Sequence, residues 1–188
     1  MRKLKAQIQI SLDGYMGGSE GEMDWMIWQW DDELNSLVEK ITEESSAILL
    51  GRNLAEGFID HWKGIAGNPD SPEQASGKIF SDMEKFVFSR SLQESRWENT
   101  QVINGDAADF ISGLKNGDGG DIIVYGGAGF VNFLTENHLI DEYNLFINPA
   151  VLGQGLKVFP SGHRFKDAES RTFPCGITWI RLRPADSE

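Results

Sequence analysis

The chain of 188 residues contains a single cysteine, Cys175. That excludes an intrachain disulfide and a multi-cysteine zinc site, and it fits a reducing compartment. Its three histidines, His61, His138 and His163, are too scattered for a ligand set, so no metal is expected. Positive charge is scarce: 17 Lys and Arg stand against 29 Asp and Glu, a net charge of −12. A general nucleic-acid or anionic-membrane binder needs a basic footprint and is excluded. Long hydrophobic runs are missing as well. Stretches such as 47–50 and 122–125 fall far below the roughly 20 residues that cross a bilayer. The basic start at residues 1–5 leads into Gln7, Ile8, Gln9, Ile10, Ser11 and Leu12 rather than an apolar core. This alternation reads as a half-buried strand and not a signal peptide, and a cytoplasmic soluble protein is expected.

What is present is material for a core. An apolar share of 40% with 11% aromatics is too rich for a disordered chain. A domain of this length buries about 70% of its unfolded surface. Along the chain, strand patterns alternate with helical ones. Asp31 is placed to cap a helix carrying Leu34, Leu37, Val38 and Ile41. Residues 47–50 read as a buried strand followed by a helical turn over 52–58, and 64–77 read as a loop by turn chemistry. Strands follow at 85–89 and 101–103, and Asp106 caps a helix with Phe110, Ile111 and Leu114. The run 121–125 is typical of a strand covered on both faces, and a helix with Phe130, Phe133 and Leu134 follows it, ending near Asn137. Alternation at Tyr143, Leu145 and Ile147 and a closing strand over 176–183 complete the pattern. The expected fold is a single three-layer α/β domain over residues 1–188, with a mostly parallel central sheet and an antiparallel C-terminal edge.

The strongest local signal is the strand–glycine–helix unit at 121–134. Gly126, Gly127 and Gly129 let a phosphate or a backbone approach closely, and the helix start directs free N–H groups to the same spot. A dinucleotide fingerprint would need glycine at position 132, which is Asn, and the Gly-Lys-Ser/Thr triplet of a P-loop is missing. The unit therefore reads either as a phosphate site without a standard signature or as a tight turn that packs a helix on the sheet. Two further strand ends carry an arginine with polar neighbours: Gly51-Arg52-Asn53 and Ser89-Arg90-Ser91. Ligands of α/β sheets collect outside such carboxyl ends, where an arginine can clamp a phosphate.

The ordered segments SLDGYMGG (11–18), LLGRN (49–53), FVFSRSL (86–92), IVYGGAGF (123–130) and INPAVLGQGLKVF (147–159) resemble the dihydrofolate-reductase superfold. Within it, the chain is most similar to the reductase domain of the riboflavin-biosynthesis deaminase/reductase and its stand-alone relatives. The resemblance implies an NADPH-dependent reductase. By it, Tyr15, Met16 and Gly17 would lie along the nicotinamide. Gly51, Arg52 and Asn53 would meet phosphates, and Ser89 and Arg90 would hold the adenosine end with its 2′-phosphate. Gly126 and Gly127, joined in this family by a cis peptide, would seat the pyrophosphate against a helix starting at Ala128 and Gly129. A homodimer through the C-terminal strands is also implied. Folate reductases usually carry an arginine where this chain has Gly129, and the acid that anchors their pterin has no decisive counterpart among Asp31, Asp32 and Glu33.

Hydride delivery to a C=N-type acceptor also requires a proton, supplied by a carboxyl group or by a water that one holds. Asp13, Asp24 and Asp32 are the candidates; Asp31 reads as a cap. Trp25, Trp28 and Trp30 either stack on a flat heterocycle or staple a loop to the core, and Asp24, Trp25 and Trp28 are taken as the substrate side. Three readings compete: a riboflavin-type reductase acting on a ribosylaminopyrimidine, a dihydrofolate or pteridine reductase, and a non-catalytic NADPH sensor. Residues 13–44 hold ten acids and one base, Lys40. The acidity thus gathers beside the expected substrate and leaves the stretches around Arg52 and Arg90 nearer neutral.

Overall fold

Two cores and one sheet account for most of the apolar sequence in the computed structural model, which describes residues 1–185. The elements, in chain order, are β1 (Leu4–Ser11), β2 (Tyr15–Gly17), α1 (Asp32–Glu43), β3 (Ser45–Gly51), α2 (Arg52–Ala66) and α3 (Gln74–Asp82). They continue with β4 (Glu84–Phe88), β5 (Thr100–Ile103), α4 (Ala107–Asn116), β6 (Asp121–Val124), α5 (Ala128–Glu136), β7 (Glu142–Asn148), β8 (Leu156–Lys157), β9 (Phe165–Thr172) and β10 (Thr178–Pro184). Eight strands form one sheet in the order β5-β4-β3-β6-β1-β7-β10-β9, and β2 pairs with β8 apart from it. The six strands from β5 to β7 are mutually parallel; β10 runs antiparallel to β7 and to β9. Among the described residues, no helix is long and apolar enough to cross a membrane.

Helices cover both faces, as an apolar parallel sheet requires. On one face Leu34, Ile41, Ala55, Ile59 and Phe80 from α1, α2 and α3 pack on Ile48, Leu50, Ile123 and Phe146. On the other, Ile111, Val131 and Leu134 from α4 and α5 pack on Leu4, Ala6, Ile8, Leu49 and Val124. The expected three layers are therefore present. Asp31 and Asp106 cap α1 and α4: the first accepts from Leu34 N, the second from Ala108 N and Asp109 N.

Three expectations are corrected. The loop expected over 64–77 is confined to 67–73, because α2 continues to Ala66 and α3 begins at Gln74. Gly77, which looked like turn chemistry, lies inside α3, where a Cβ would come within 2.7 Å of Ala66 N; it is a helix–helix contact. β1 is not half-buried. It lies between β6 and β7, with Lys5 and Gln7 buried on the face opposite Leu4, Ala6 and Ile8, and it ends before Leu12, which is exposed. β9 was not foreseen, because its exposed edge carries the polar sequence FKDAESRT with little apolar alternation.

The amino end of the sheet is closed by charge pairs. Lys5 bonds Glu44 and, at 2.9 Å, Asp121, and Arg2 donates to Gly120 O and Ser46 Oγ. Lys115 pairs with Asp141, which also accepts from Leu4 N. Burial alone would raise the Asp121 carboxyl, but the Lys5 ammonium and Lys3 N–H outweigh it and hold it below 3.8. Asp31 is depressed in the same way, with bonds from Cys175 N and Leu34 N overcoming its desolvation. In the unfolded chain these groups bind protons sooner as pH falls, so their stabilisation is full above the unfolded value and is lost through the lower folded ones. Urea midpoints are expected to stay level down to about pH 5 and to drop progressively below about 4. Asp121→Asn should flatten that drop.

Candidate active site at the carboxyl edge

The helices after β1 and β3 cover one face of the sheet, and the helix after β6 covers the other. Adjacent strands whose connections leave to opposite faces open a crevice at their carboxyl ends, the usual ligand position in such sheets. Here the crevice lies at the end of β6, where Gly126 and Gly127 stand between the ends of β3 and β1.

The parts predicted from sequence meet there. An ideal Cβ on Gly127 would lie 4.0 Å from Gly51 Cα, so the two glycine turns adjoin. A Cβ on Gly51 would come within 3.0 Å of Phe130 Cβ, which accounts for glycine at the end of β3. Phe130 stacks on Phe88 at 4.8 Å between ring centroids, joining the start of α5 to the strand that leads into Ser89 and Arg90. Gly126 and Gly127 take φ of 148° and 82°. All peptide bonds among the described residues are trans, so the cis bond implied for Gly126–Gly127 is not found.

Four helices start at this edge after parallel strands or their loops, and they differ in one respect. Carboxylates of Asp31 and Asp106 occupy the starts of α1 and α4. The starts of α2 and α5 have Gly51 and Gly127 as N-caps, no side-chain cap bond, and no acid in the first turn. Two neighbouring helix N-termini thus keep their orphan N–H groups and positive dipole ends. Arg52 and Asn53 open α2 and are exposed. Neither Arg52 nor Arg90 has an ion-pair partner among the described residues, whereas Arg96, Arg171 and Arg181 all do. Ser89 is buried, and its hydroxyl accepts from Ser91 N and Leu92 N, shaping the loop that carries Arg90. Asn104, not singled out from sequence, clamps that loop by donating to Ser89 O and Leu92 O.

Across β1, Tyr15 and Gly17 pair with Lys157 and Leu156, and Met16 is buried in the core. Asp13 fixes this turn. Its carboxylate accepts from Ser11 Oγ at 2.7 Å, Gly153 N at 2.7 Å and Leu152 N at 3.1 Å. The Ser11 bond first, then the two backbone donors, hold its pKa below the ordinary value. A carboxylate so occupied is kept ionised and is a poor proton donor. Through these bonds Asp13 braces the Tyr15–Gly17 turn, and as an ionised group it would act in proton delivery only by holding a water.

On the expected substrate side, Asn148 is fully buried; it accepts from Ile27 N and donates to Gln9 Oε1 at 2.6 Å. That ties the tryptophan loop to β7 and β1. Trp30 staples the same loop by stacking on Phe146, with its Nε1 donating to Ile27 O. Trp28 is 62% exposed, Trp25 donates to Glu22 O, and Asp24 is exposed, so these three remain available at the surface. Asp32 is the exposed first residue of α1, beside the Asp31 cap. Sequence reasoning missed Gln7 and Gln9, which looked like a solvent face; Gln7 is buried and its Oε1 has no partner.

The fold is dihydrofolate-reductase-like. The chain belongs to the RibD C-terminal domain family, whose model matches residues 2–179. It is 30% identical to the uncharacterised protein YyaP of Bacillus subtilis over 185 residues, which is 95% of this chain and 93% of YyaP. Its fold is similar to that of a Shewanella sp. PV-4 protein provisionally assigned to riboflavin biosynthesis (TM-score 0.70, 21% identity, 98% and 99% of the two chains). It also resembles the diaminohydroxyphosphoribosylaminopyrimidine deaminase/5-amino-6-(5-phosphoribosylamino)uracil reductase of Thermotoga maritima (TM-score 0.66, 17% identity), covering 98% of this chain and 57% of that one. Dihydrofolate reductase of Enterococcus faecalis, complexed with NADP(H) and an inhibitor, matches at TM-score 0.61 and 15% identity over 98% and 97% of the chains.

Proposed function

We propose that the protein is an NADPH-dependent reductase that acts on a C=N-type acceptor of the riboflavin-precursor kind. The observation that supports this most is the pair of adjoining, uncapped helix starts of α2 and α5, flanked by the unpaired Arg52. A pyrophosphate fits such a cradle, because N–H groups, dipole ends and a guanidinium all favour an anion at one place. NADPH, when bound, supplies the hydride that a C=N carbon accepts, while the nitrogen takes a proton. The chain's own residues do the rest. Arg52 and Asn53 hold phosphate with the N–H groups of Ala128 and Gly129. Arg90, on the loop shaped by Ser89, meets the 2′-phosphate. Tyr15, Met16 and Gly17, braced by Asp13, orient the ring that gives up hydride. Asp24, Trp25 and Trp28 border the substrate, and Asp32 holds the water that carries the proton.

Thermal shift with NADPH tests the reading directly, since a ligand specific to the native state raises the melting temperature by mass action. Arg52→Ala is expected to weaken NADPH about tenfold or more, the size of a charge-assisted bond. Arg90→Ala should weaken NADPH more than NADH; equal losses would remove it from the 2′-phosphate. Asp32→Asn should lower turnover with NADPH affinity nearly intact. Tight binding of NADPH without any heterocycle that consumes it would favour the sensor, and no binding at all would end every one of these readings.

A further inference from the structure

At the amino end of the sheet, on the α5 side and away from the crevice, lies a cavity of about 400 Å³. Its apolar part comes from Ile140, Phe165 and Pro184, with the Tyr143 ring edge-on to Phe165 at 5.4 Å. Its polar part is unlike the rest of this acidic chain. His138, His163 and Arg164 line it, and no Asp or Glu does so among the described residues. The two imidazoles lie 6.3 Å apart, and His163 also packs against Phe159 and Phe165.

Two of the nearby acids are already engaged, while Glu136, next to Thr135, is exposed. Asp141 is held by Lys115 and Leu4 N, and Glu142 by Arg183 and Asn144. The C-terminal end of α5, which would repel an anion if bare, is also covered. Phe133 O accepts from Asn137, Leu134 O from Leu139 N, and Thr135 O from His138 N. His138 itself has φ of 54°, in the left-handed region just past the helix end where glycine is the common choice.

We infer that this cavity is a second ligand site, for a flat ring that carries a phosphate or carboxylate. Phe165 and the His163 ring offer a stacking surface. Arg164 offers a charge-assisted donor to the anion, and His138 and His163 offer ring nitrogens, of which His163 Nε2 lies 3.2 Å from Ser161 Oγ. The site shares no residue with the crevice and does not depend on the proposed reduction.

Phenyl phosphate is the probe, with inorganic phosphate and phenol as its separate halves. The chain has only three histidines, so their imidazole proton resonances report on the place of binding. Saturable shifts of His138 and His163, with His61 on α2 unmoved, are the expected result. Phenyl phosphate should bind more tightly than either half. Arg164→Ala, at an exposed position, should fold normally and lose about tenfold in affinity. Arg52→Ala should bind the probe as the unaltered chain does. The inference is overturned if no saturable shift appears, if His61 moves together with the other two, or if Arg164→Ala binds phenyl phosphate unchanged.

Discussion

Lys85→Met is expected to cost about 2 kcal/mol or more of folding stability, the range for leaving buried acceptors without their donor. Lys85 sits on β4 with only 2% of its surface exposed. Its ammonium donates to Phe80 O, Ser81 O and Met83 O at 2.9, 2.9 and 2.6 Å. These carbonyls close the C-terminal end of α3, where a cation also meets the negative end of the helix dipole. Burial lowers its pKa to about 8, which leaves it charged at neutral pH. Methionine keeps most of the volume and removes the cost of burying a charge, so two effects oppose. The orphaned carbonyls decide the sign: Ser81 O keeps a 3.3 Å bond from Asn99 Nδ2, but Phe80 O and Met83 O are left buried without the donor that Lys85 supplied. Urea unfolding at pH 7 checks it, with the slope unchanged and the midpoint lowered. A loss below about 1 kcal/mol would show that the carbonyls find other donors.

Lys85 also shows where sequence reading stops. In FVFSRSL the strand and its exit were legible because apolar β-branched and aromatic residues make a buried parallel strand without help from the rest of the chain. A lysine at the head of that strand has no local signature of burial, since its partners lie at the end of a helix, over 80–83, for which no element was expected. The same division runs through the fold. The caps at Asp31 and Asp106 are local chemistry and were found. β9 and the α2–α3 contact at Gly77 are tertiary facts and were not. β1 shows a third kind of limit: Gln7 and Gln9 alternate with isoleucines as a solvent face would, yet α1 and the Asn148 network cover that face.

At the site, the residue types were legible and their roles were less so. Glycines and arginines at strand ends pointed to an anion whatever the fold, because such ends gather on one edge of a parallel sheet. Asp13 looked equally suited to hold a turn or donate a proton. Its three donors, two of them about 140 residues away, show how the turn role is filled and could not be read from the sequence. The contrast between capped and uncapped helix starts was likewise half visible. Asp31 and Asp106 could be named as caps, but that Gly51 and Gly127 adjoin in space depends on the order β3-β6-β1.

Gly127→Ala is expected to weaken NADPH by up to about a hundredfold, the largest effect of any single change at the crevice. Gly127 has φ 82° and ψ 94°, a backbone conformation that side chains with a Cβ rarely adopt. Space is not the obstacle, because the nearest atoms to an added Cβ lie at 3.9–4.0 Å, an ordinary contact. The cost is conformational, about 1–3 kcal/mol for a residue held in such a region. Either the turn keeps its shape and the protein loses that stability, or φ relaxes and the first N–H groups of α5 swing off the anion. At about 1.4 kcal/mol per tenfold, the upper end of that cost corresponds to about a hundredfold in affinity. Gly129→Ala is the matched control. It lies in the first turn of α5, exposed, with nothing within 4 Å of an added Cβ and no positive φ. Alanine there should stabilise the helix by about 0.5–1 kcal/mol and leave NADPH affinity unchanged, since the donor is its backbone N–H. Titration of both variants with NADPH, alongside their melting temperatures, separates the cases. Equal affinity with a lowered melting temperature in Gly127→Ala would mean that the turn kept its shape; equal affinity without that loss would mean that the start of α5 does not hold the cofactor, and the pyrophosphate would have to be sought at Arg52 and the start of α2 alone.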